Sequence, residues 1–195
     1  MATRRGFLKN SAITAAGLSL APSVSGKVFS SPPSDRINIG LIGCNGQGYS
    51  NLRTFLDHPQ VECMALCDID DSVLNRRSAD VEKIRGKKPA NLYKDWRKVI
   101  DNKDINLVIV GTPDHWHCLI LVYALQAGKH VYVEKPMANT IAECNIIVNA
   151  SKYYGDRVVQ IGQQQRSGPV FQKAMEFIRG GQIGKLRKIN IWANF

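Results

Sequence analysis

A doubly wound parallel α/β sheet is the fold class the sequence predicts, and three observations predict it. Short apolar runs alternate with stretches of helical periodicity from residue 36 onward, the first run ends in a glycine-rich turn that opens a helix, and an acid closes the second run. Such alternation with short turns implies right-handed βαβ crossovers.

Taken in order, Ile37 to Ile42 is a near-continuous apolar run, as a parallel strand buried on both faces requires. Leu52, Phe55 and Leu56 then mark one face of a helix. Val61 to Cys67 reads as the second strand, and Asp71 to Arg85 as a charged, solvated helix. A short strand at Leu92-Tyr93 precedes a brief helix from Asp95. Leu107 to Val110 is a strand, His115 to Ala127 an apolar helix, and Val131 to Val133 another strand. Thr140 and Glu143 form a capping box, with Ile141, Cys144 and Val148 expected to repeat down one side of the helix that follows. Val158 to Ile161 is the sixth strand. Beyond it, Val170 to Ile178 is helical, and Lys185 to Phe195 begins a strand that alternates at Leu186, Ile189, Ile191 and Ala193. The expected organisation is an acid-free segment over 1–26, a linker over 27–35, the strand–helix domain over 36–161, and over 162–195 the start of a truncated second domain.

The 195 residues carry 26 Lys and Arg against 16 Asp and Glu. Arg4, Arg5 and Lys9 belong to the acid-free first 26 residues, which leaves 23 basic groups scattered among all the acids in the remainder. With no long basic run and no interleaved aromatic platform, a nucleic-acid partner is not expected. An anionic cofactor uses modest positive charge equally well. The longest uncharged stretch, Asn10 to Gly26, is short and rich in Ser, Pro and Gly, so no stable membrane anchor is expected.

Thr3-Arg4-Arg5-Gly6-Phe7-Leu8-Lys9 precedes a mild apolar stretch, Ser11 to Leu20, and then a small-residue run, Ala21 to Gly26. Basic, then apolar, then small is the order of an export signal, and the arginine pair resembles the twin-arginine type, whose machinery carries folded proteins to the periplasm. Cys44, Cys63, Cys67, Cys118 and Cys144 make an odd count for a disulfide framework. Cys63 and Cys67 share one strand, which separates their Cα atoms by about 13 Å. All five read as small buried hydrophobes.

Gly43-Cys44-Asn45-Gly46-Gln47-Gly48 follows the first strand and leads into a helix. Gly43 permits the tight turn, Gly46 lets backbone approach a diphosphate, and Gly48 lets helix pack on strand; Asn45 stands where the usual pattern has its middle glycine. Helix N-terminal amides, including that of Gln47, would bind the phosphates. Asp68, twenty residues after Gly48, ends the second strand where an acid accepts hydrogen bonds from the adenosine ribose. Its charge repels a 2′-phosphate and favours NAD, while Arg76 and Arg77 leave NADP open.

Ligands in such sheets lie beyond the carboxyl ends of the strands. The fourth strand ends in Gly111-Thr112-Pro113-Asp114-His115-Trp116-His117, and the fifth in Glu134-Lys135-Pro136. His115 and His117 two residues apart at a helix start do not share a face, which disfavours a metal, and Asp114 reads as an N-cap. Together with the glycine turn and Asp68, these segments resemble the glucose–fructose oxidoreductase, inositol dehydrogenase and rhizopine catabolism family (Gfo/Idh/MocA) over about residues 36 to 195. The Gly162-Gln163-Gln164-Gln165-Arg166 segment is similar to exported bacterial members.

The resemblance implies a Rossmann domain binding NAD, joined to a C-terminal domain that binds a sugar or polyol, often mediates homo-oligomers, and supplies a His or Tyr acid/base beyond Phe195. It implies coenzyme contacts at Thr112, Pro113 and Glu134 and places Lys135 near nicotinamide and reacting carbon, where its ammonium stabilises developing alkoxide charge. Glu134 is expected to orient that ammonium, and His117 to border the nicotinamide pocket and assist the chemistry. Such a turn admits a cis bond before Pro136. Trp116 is either a sugar-stacking surface or core, and Arg166 either reaches substrate or cofactor or makes an interdomain ion pair. Three activities follow from these readings: a sugar or polyol dehydrogenase, a glycosidase of the same superfamily using tightly held NAD, and a nucleotide-binding module without catalysis.

Overall fold

The computed structural model describes residues 36–192. The expected leader and linker lie outside the described residues.

Six strands form one parallel sheet: β1 (Ile37–Ile42), β2 (Val61–Cys67), β3 (Asn91–Tyr93), β4 (Leu107–Val110), β5 (His130–Glu134) and β6 (Val159–Gly162). Their spatial order is β3-β2-β1-β4-β5-β6, every pairing is parallel, and the order reverses between β1 and β4. That reversal opens a crevice beyond the carboxyl ends of the two strands.

The helices are α1 (Gly46–Leu56), α2 (Asp71–Arg85), α3 (Trp96–Asp101), α4 (His117–Gln126), α5 (Ile141–Tyr153) and α6 (Pro169–Arg179). Strand residues alternate between faces. On one side Ile39, Leu41 and Ile109 pack with Leu52 and Leu56 of α1 and Val73, Leu74 and Val81 of α2. On the other, Ile42, Val108 and Val110 pack with Val99 of α3, Ile120, Leu121 and Leu125 of α4 and Ile147 of α5. Burying the strands on both faces explains why β1 and β4 read as unbroken apolar runs.

Four expectations are corrected. The helix placed at His115 begins at His117, preceded by a 3-10 turn over Asp114–Trp116, because Trp116 N–H donates to Pro113 O at 3.1 Å. Asp114 is not the N-cap of α4; its carboxylate takes the adjacent His115 N–H, and Trp116 occupies the cap position. In α5 the capping box forms, Thr140 Oγ1 accepting from Glu143 N and Glu143 Oε2 from Thr140 N, but Ile141 is 83% exposed and Val148 also faces out. The stripe that packs is Cys144, Ile147, Ala150 and Tyr154. Both stripes have helical spacing, and only the position of the neighbouring helix separates them. The strand placed at Lys185 does not form among the described residues 185–192, whose backbone meets no partner strand there.

Candidate active site

Backbone hydrogen bonds draw the ends of four strands, β1 to β4, together. Gly43 N–H donates to Cys67 O at 2.9 Å, Asp68 N–H to Tyr93 O at 3.1 Å, and Gly111 N–H to Ile42 O at 2.8 Å. The turn after β1 then takes positive φ at Gly43 (84°) and Gly46 (48°). Asn45, in the place of the usual middle glycine, is extended at φ −97°, and the left-handed conformation falls on the next residue, Gly46. A Cβ on Gly48 would run into the Gly43 carbonyl oxygen, which is why helix and strand approach so closely only with glycine there.

Asn45 is the N-cap of α1 but makes no side-chain cap bond, and the first turn carries no acid. The first N–H groups of α1 are thus uncapped by any side chain at the end where the helix dipole is positive. Asp68 sits beside them: Oδ2 accepts from Cys44 N at 2.8 Å and Oδ1 from Asp70 N at 3.1 Å. The cap of α2 is Asp70, which accepts from Ser72 N at 2.8 Å, so Asp68 is not spent on capping. A cavity of about 540 Å³ opens here between β1, β2 and β4, walled by Asn45, Asp68, Thr112, Pro113 and Trp116. That volume is in the range of a small-molecule site. Ile69 and Lys94 also line it without having been marked in the sequence, and so does His115, weighed there only as a metal ligand.

The residues present fit a dinucleotide. Thr112 Oγ1 is buried with no hydrogen-bond partner, and such an orphaned hydroxyl in a pocket wall calls for a polar ligand atom. Uncapped helix amides suit a diphosphate, and Asp68 suits ribose hydroxyls.

At the end of β5, Lys135 is exposed and its bond to Pro136 is cis. Its ammonium makes no ion pair among the described residues. Glu134, expected to hold that ammonium, does something else. Its buried carboxylate accepts from Asn51 Nδ2 at 2.7 Å and Gln164 Nε2 at 2.6 Å through Oε1, and from the backbone N–H of Lys135 at 3.1 Å through Oε2. It therefore acts on Lys135 through the main chain. These side-chain partners were missed. The signal for Asn51 was available, since it falls in the buried stripe of α1 with Gly48, Leu52 and Leu56, where an amide must find partners.

His117 is also placed differently from expectation. It is 1% exposed, with Nδ1 2.7 Å from Pro136 O and Nε2 2.8 Å from Thr112 O. Both oxygens are acceptors, so a singly protonated ring donates to one and only the imidazolium donates to both. Fully enclosed between backbone groups, the ring ties the turn after β4 to the turn after β5 and presents no face to a reactant. Trp116 is not core; 39% exposed, it walls the cavity that Asp68 also lines. Arg166 lies exposed in a 3-10 turn over Gln164–Ser167 after β6.

The thiols stay packing groups. Burial, reinforced by Asp68, pushes the Cys44 thiol far up, and burial foremost raises Cys63 and Cys67 to about 12. Cys44, Cys63, Cys67 and Cys118 are buried; Cys144, only partly covered, departs from the expectation because it sits at the edge of the α5 stripe.

Comparison with known proteins agrees with this geometry. The sequence model of the oxidoreductase family with an NAD-binding Rossmann fold, Gfo/Idh/MocA, matches residues 37–163. A glycosyl hydrolase family 109 protein of Shewanella baltica is 33% identical over 171 residues, covering 76% of this chain and 37% of the relative. The chain thus spans little more than a third of the length of the curated relatives it matches. Among solved structures, myo-inositol 2-dehydrogenase of Lactobacillus plantarum superposes with a TM-score of 0.69 at 22% identity, over 77% of this chain and 43% of that one. Scyllo-inositol dehydrogenase of Lactobacillus casei, solved with NAD(H) and scyllo-inositol, gives 0.66 at 22% identity, over 76% and 42%. At that identity the two structures establish the fold, and the family assignment rests on the sequence match. On that match, and with a six-stranded sheet whose crevice fits a dinucleotide, the chain belongs to the Gfo/Idh/MocA family of NAD-binding oxidoreductases.

Proposed function

We propose that this chain is the coenzyme half of a dehydrogenase that oxidises a hydroxyl-bearing carbon of a sugar or polyol, or reduces the matching carbonyl. One observation carries the reading: Asp68, the orphaned Thr112 hydroxyl and Asn45, the N-cap at the uncapped start of α1, line one cavity, at the same carboxyl end of the sheet as the exposed Lys135. Bound NAD supplies a hydride acceptor or donor at its nicotinamide ring. The α1 amides and Asp68 hold and orient the nucleotide. Lys135, exposed at the end of β5, donates a hydrogen bond to the substrate oxygen and stabilises its negative charge as the C–H bond breaks. The hydroxyl proton must leave as hydride departs, so a base is also required. Lys135 assists it, and the His or Tyr that the resemblance implies beyond Phe195 takes the proton. His117 serves by holding the Thr112 and Pro136 turns in place. The Asp68 carboxylate supports NAD over NADP.

The leader over 1–26 supports export through the twin-arginine machinery to the periplasm, and any homo-oligomer contact is assigned to the C-terminal domain the resemblance implies. A second reading is a glycosidase using tightly held NAD, which the glycosyl hydrolase relative favours. Product analysis on the longer protein separates the two. Reduced nicotinamide accumulating with myo- or scyllo-inositol supports the dehydrogenase; glycoside cleavage without net reduction supports the glycosidase; nucleotide binding with neither points to a module without catalysis.

A further inference from the structure

Glu134 is a buried carboxylate, 4% exposed, on which donors from separate parts of the fold converge. Asn51 belongs to α1, Gln164 to the 3-10 turn after β6, and the third donor is the backbone of Lys135. No cation reaches it among the described residues, so neutral amides and one main-chain N–H supply all its observed compensation. A carboxylate accepts only, which obliges both amides to present their NH2 groups to it. The oxygen of Asn51 is then free to receive, and it accepts from Gln47 Nε2 at 3.0 Å and Gln164 Nε2 at 3.3 Å. Gln164 Nε2 also lies 3.3 Å from Tyr132 Oη. The space is closed by Gly162, where a Cβ would stand 2.6 Å from Glu134 Oε1 and 2.9 Å from Tyr132 Oη.

This network has two ends that matter. Gln47 is in the first turn of α1, whose uncapped amides are assigned to the diphosphate. Gln164 opens the turn that carries Arg166, and that turn is closed by Arg166 N–H to Gln163 O at 3.0 Å and Gly168 N–H to Gln165 O at 3.1 Å. Buried polar networks of this kind admit few arrangements, because each donor that swings away leaves a desolvated acceptor behind.

We propose that Asn51 and Gln164 are positioning residues that couple, through Glu134, the diphosphate turn to the Gln164–Ser167 turn, so that NAD binding orders the segment bearing Arg166. The proposal rests on the NAD-binding reading of the cavity and adds a direction of communication to it. Coenzyme held by the α1 amides fixes Gln47 and Asn51, their fixed amides hold Glu134, and Glu134 holds Gln164. Linkage then demands reciprocity: whatever factor NADH lends to the closed turn, the closed turn lends to NADH affinity.

The test is hydrogen exchange of the whole chain with and without saturating NADH, read at the amides of Arg166 and Gly168, with NADH affinity measured calorimetrically. The parent protein is expected to slow exchange there about threefold or more on binding NADH, the lower end of ordinary coupling between sites. Gln164→Met keeps the length and removes the donor. It is expected to abolish that NADH-dependent slowing and to weaken NADH binding by the same factor. Gln47→Ala cuts the other end at an exposed side chain and is expected to abolish the slowing as well. A purely structural Gln164 would raise exchange with and without NADH alike, leave their ratio unchanged, and overturn the proposal. So would NADH binding that leaves both amides unaffected in the parent. NADH failing to bind at all would instead overturn the cavity assignment, and the coupling with it.

Discussion

Replacing Asp68 by Asn removes the negative charge from the cavity wall while leaving an oxygen to accept from Cys44 N or Asp70 N, the two backbone groups that pin the carboxylate at 2.8 and 3.1 Å. Two consequences follow, of different size. Ribose hydroxyls lose a charged acceptor, and hydrogen bonds to charged groups contribute about 1.5–3 kcal/mol, so NADH affinity should fall roughly tenfold to a hundredfold. A 2′-phosphate near the same position is no longer repelled. At a separation of about 5 Å and an effective dielectric of about 20, one pair of unit charges costs about 3 kcal/mol. The phosphate carries more than one charge, but the partly open site is screened by solvent and salt, so about 3 kcal/mol is a fair net figure. Combining the two, the NADH-to-NADPH affinity ratio should shift at least a hundredfold toward NADPH. The assay is calorimetric titration of parent and Asp68→Asn with both reduced coenzymes at low and at 0.5 M salt, the preference of the parent shrinking as salt rises. An unchanged ratio would refute the assignment of Asp68 to the ribose.

Lys135→Ala in the longer protein should lower turnover by about 10²–10³ with NADH affinity nearly unchanged; equal turnover in mutant and parent would reject a role for its ammonium. His117→Ala strands the Thr112 and Pro136 carbonyls and opens a void, a loss of about 3 kcal/mol, so Tm by calorimetry should drop by about 6–12 °C. An unmoved Tm would contradict the tie between the two turns. Asp70 is held below the ordinary carboxylate value by hydrogen bonds from Ser72. Because its folded value is the lower one, its contribution to stability is complete above the unfolded carboxylate range and is lost as pH falls through the folded value. The Tm difference between pH 6 and pH 3 should accordingly be smaller in Asp70→Asn, and identical differences would exclude the cap as a source of acid sensitivity.

Most of the architecture was readable along the chain because each strand and helix announces itself locally. Ile37 to Ile42 and Leu107 to Val110 are apolar on both faces since both faces are covered, and the glycine turn is demanded by a backbone geometry that few other residues adopt. The coenzyme side of the site was legible for the same reason: Asp68 and Gly43 to Gly48 are fixed by their places at strand ends. Local rules misled at Ile141, where two apolar stripes compete, and at Asp114, where an acid that looks like a helix cap serves a single 3-10 turn.

What the residues alone determined, then, is the order of elements, the phosphate turn and the acid beside it, all consequences of short-range periodicity and backbone sterics. Tertiary structure decided which polar side chains meet. The partners of Glu134 lie 83 and 30 residues away, at Asn51 and Gln164, and the carbonyl facing His117 Nδ1 lies 19 residues on at Pro136. Nothing local ranks Asn51 and Gln164 as partners for that carboxylate. That choice comes from folding strand ends together in a space from which water is excluded, where every donor must find whichever acceptor the chain has brought within about 3 Å.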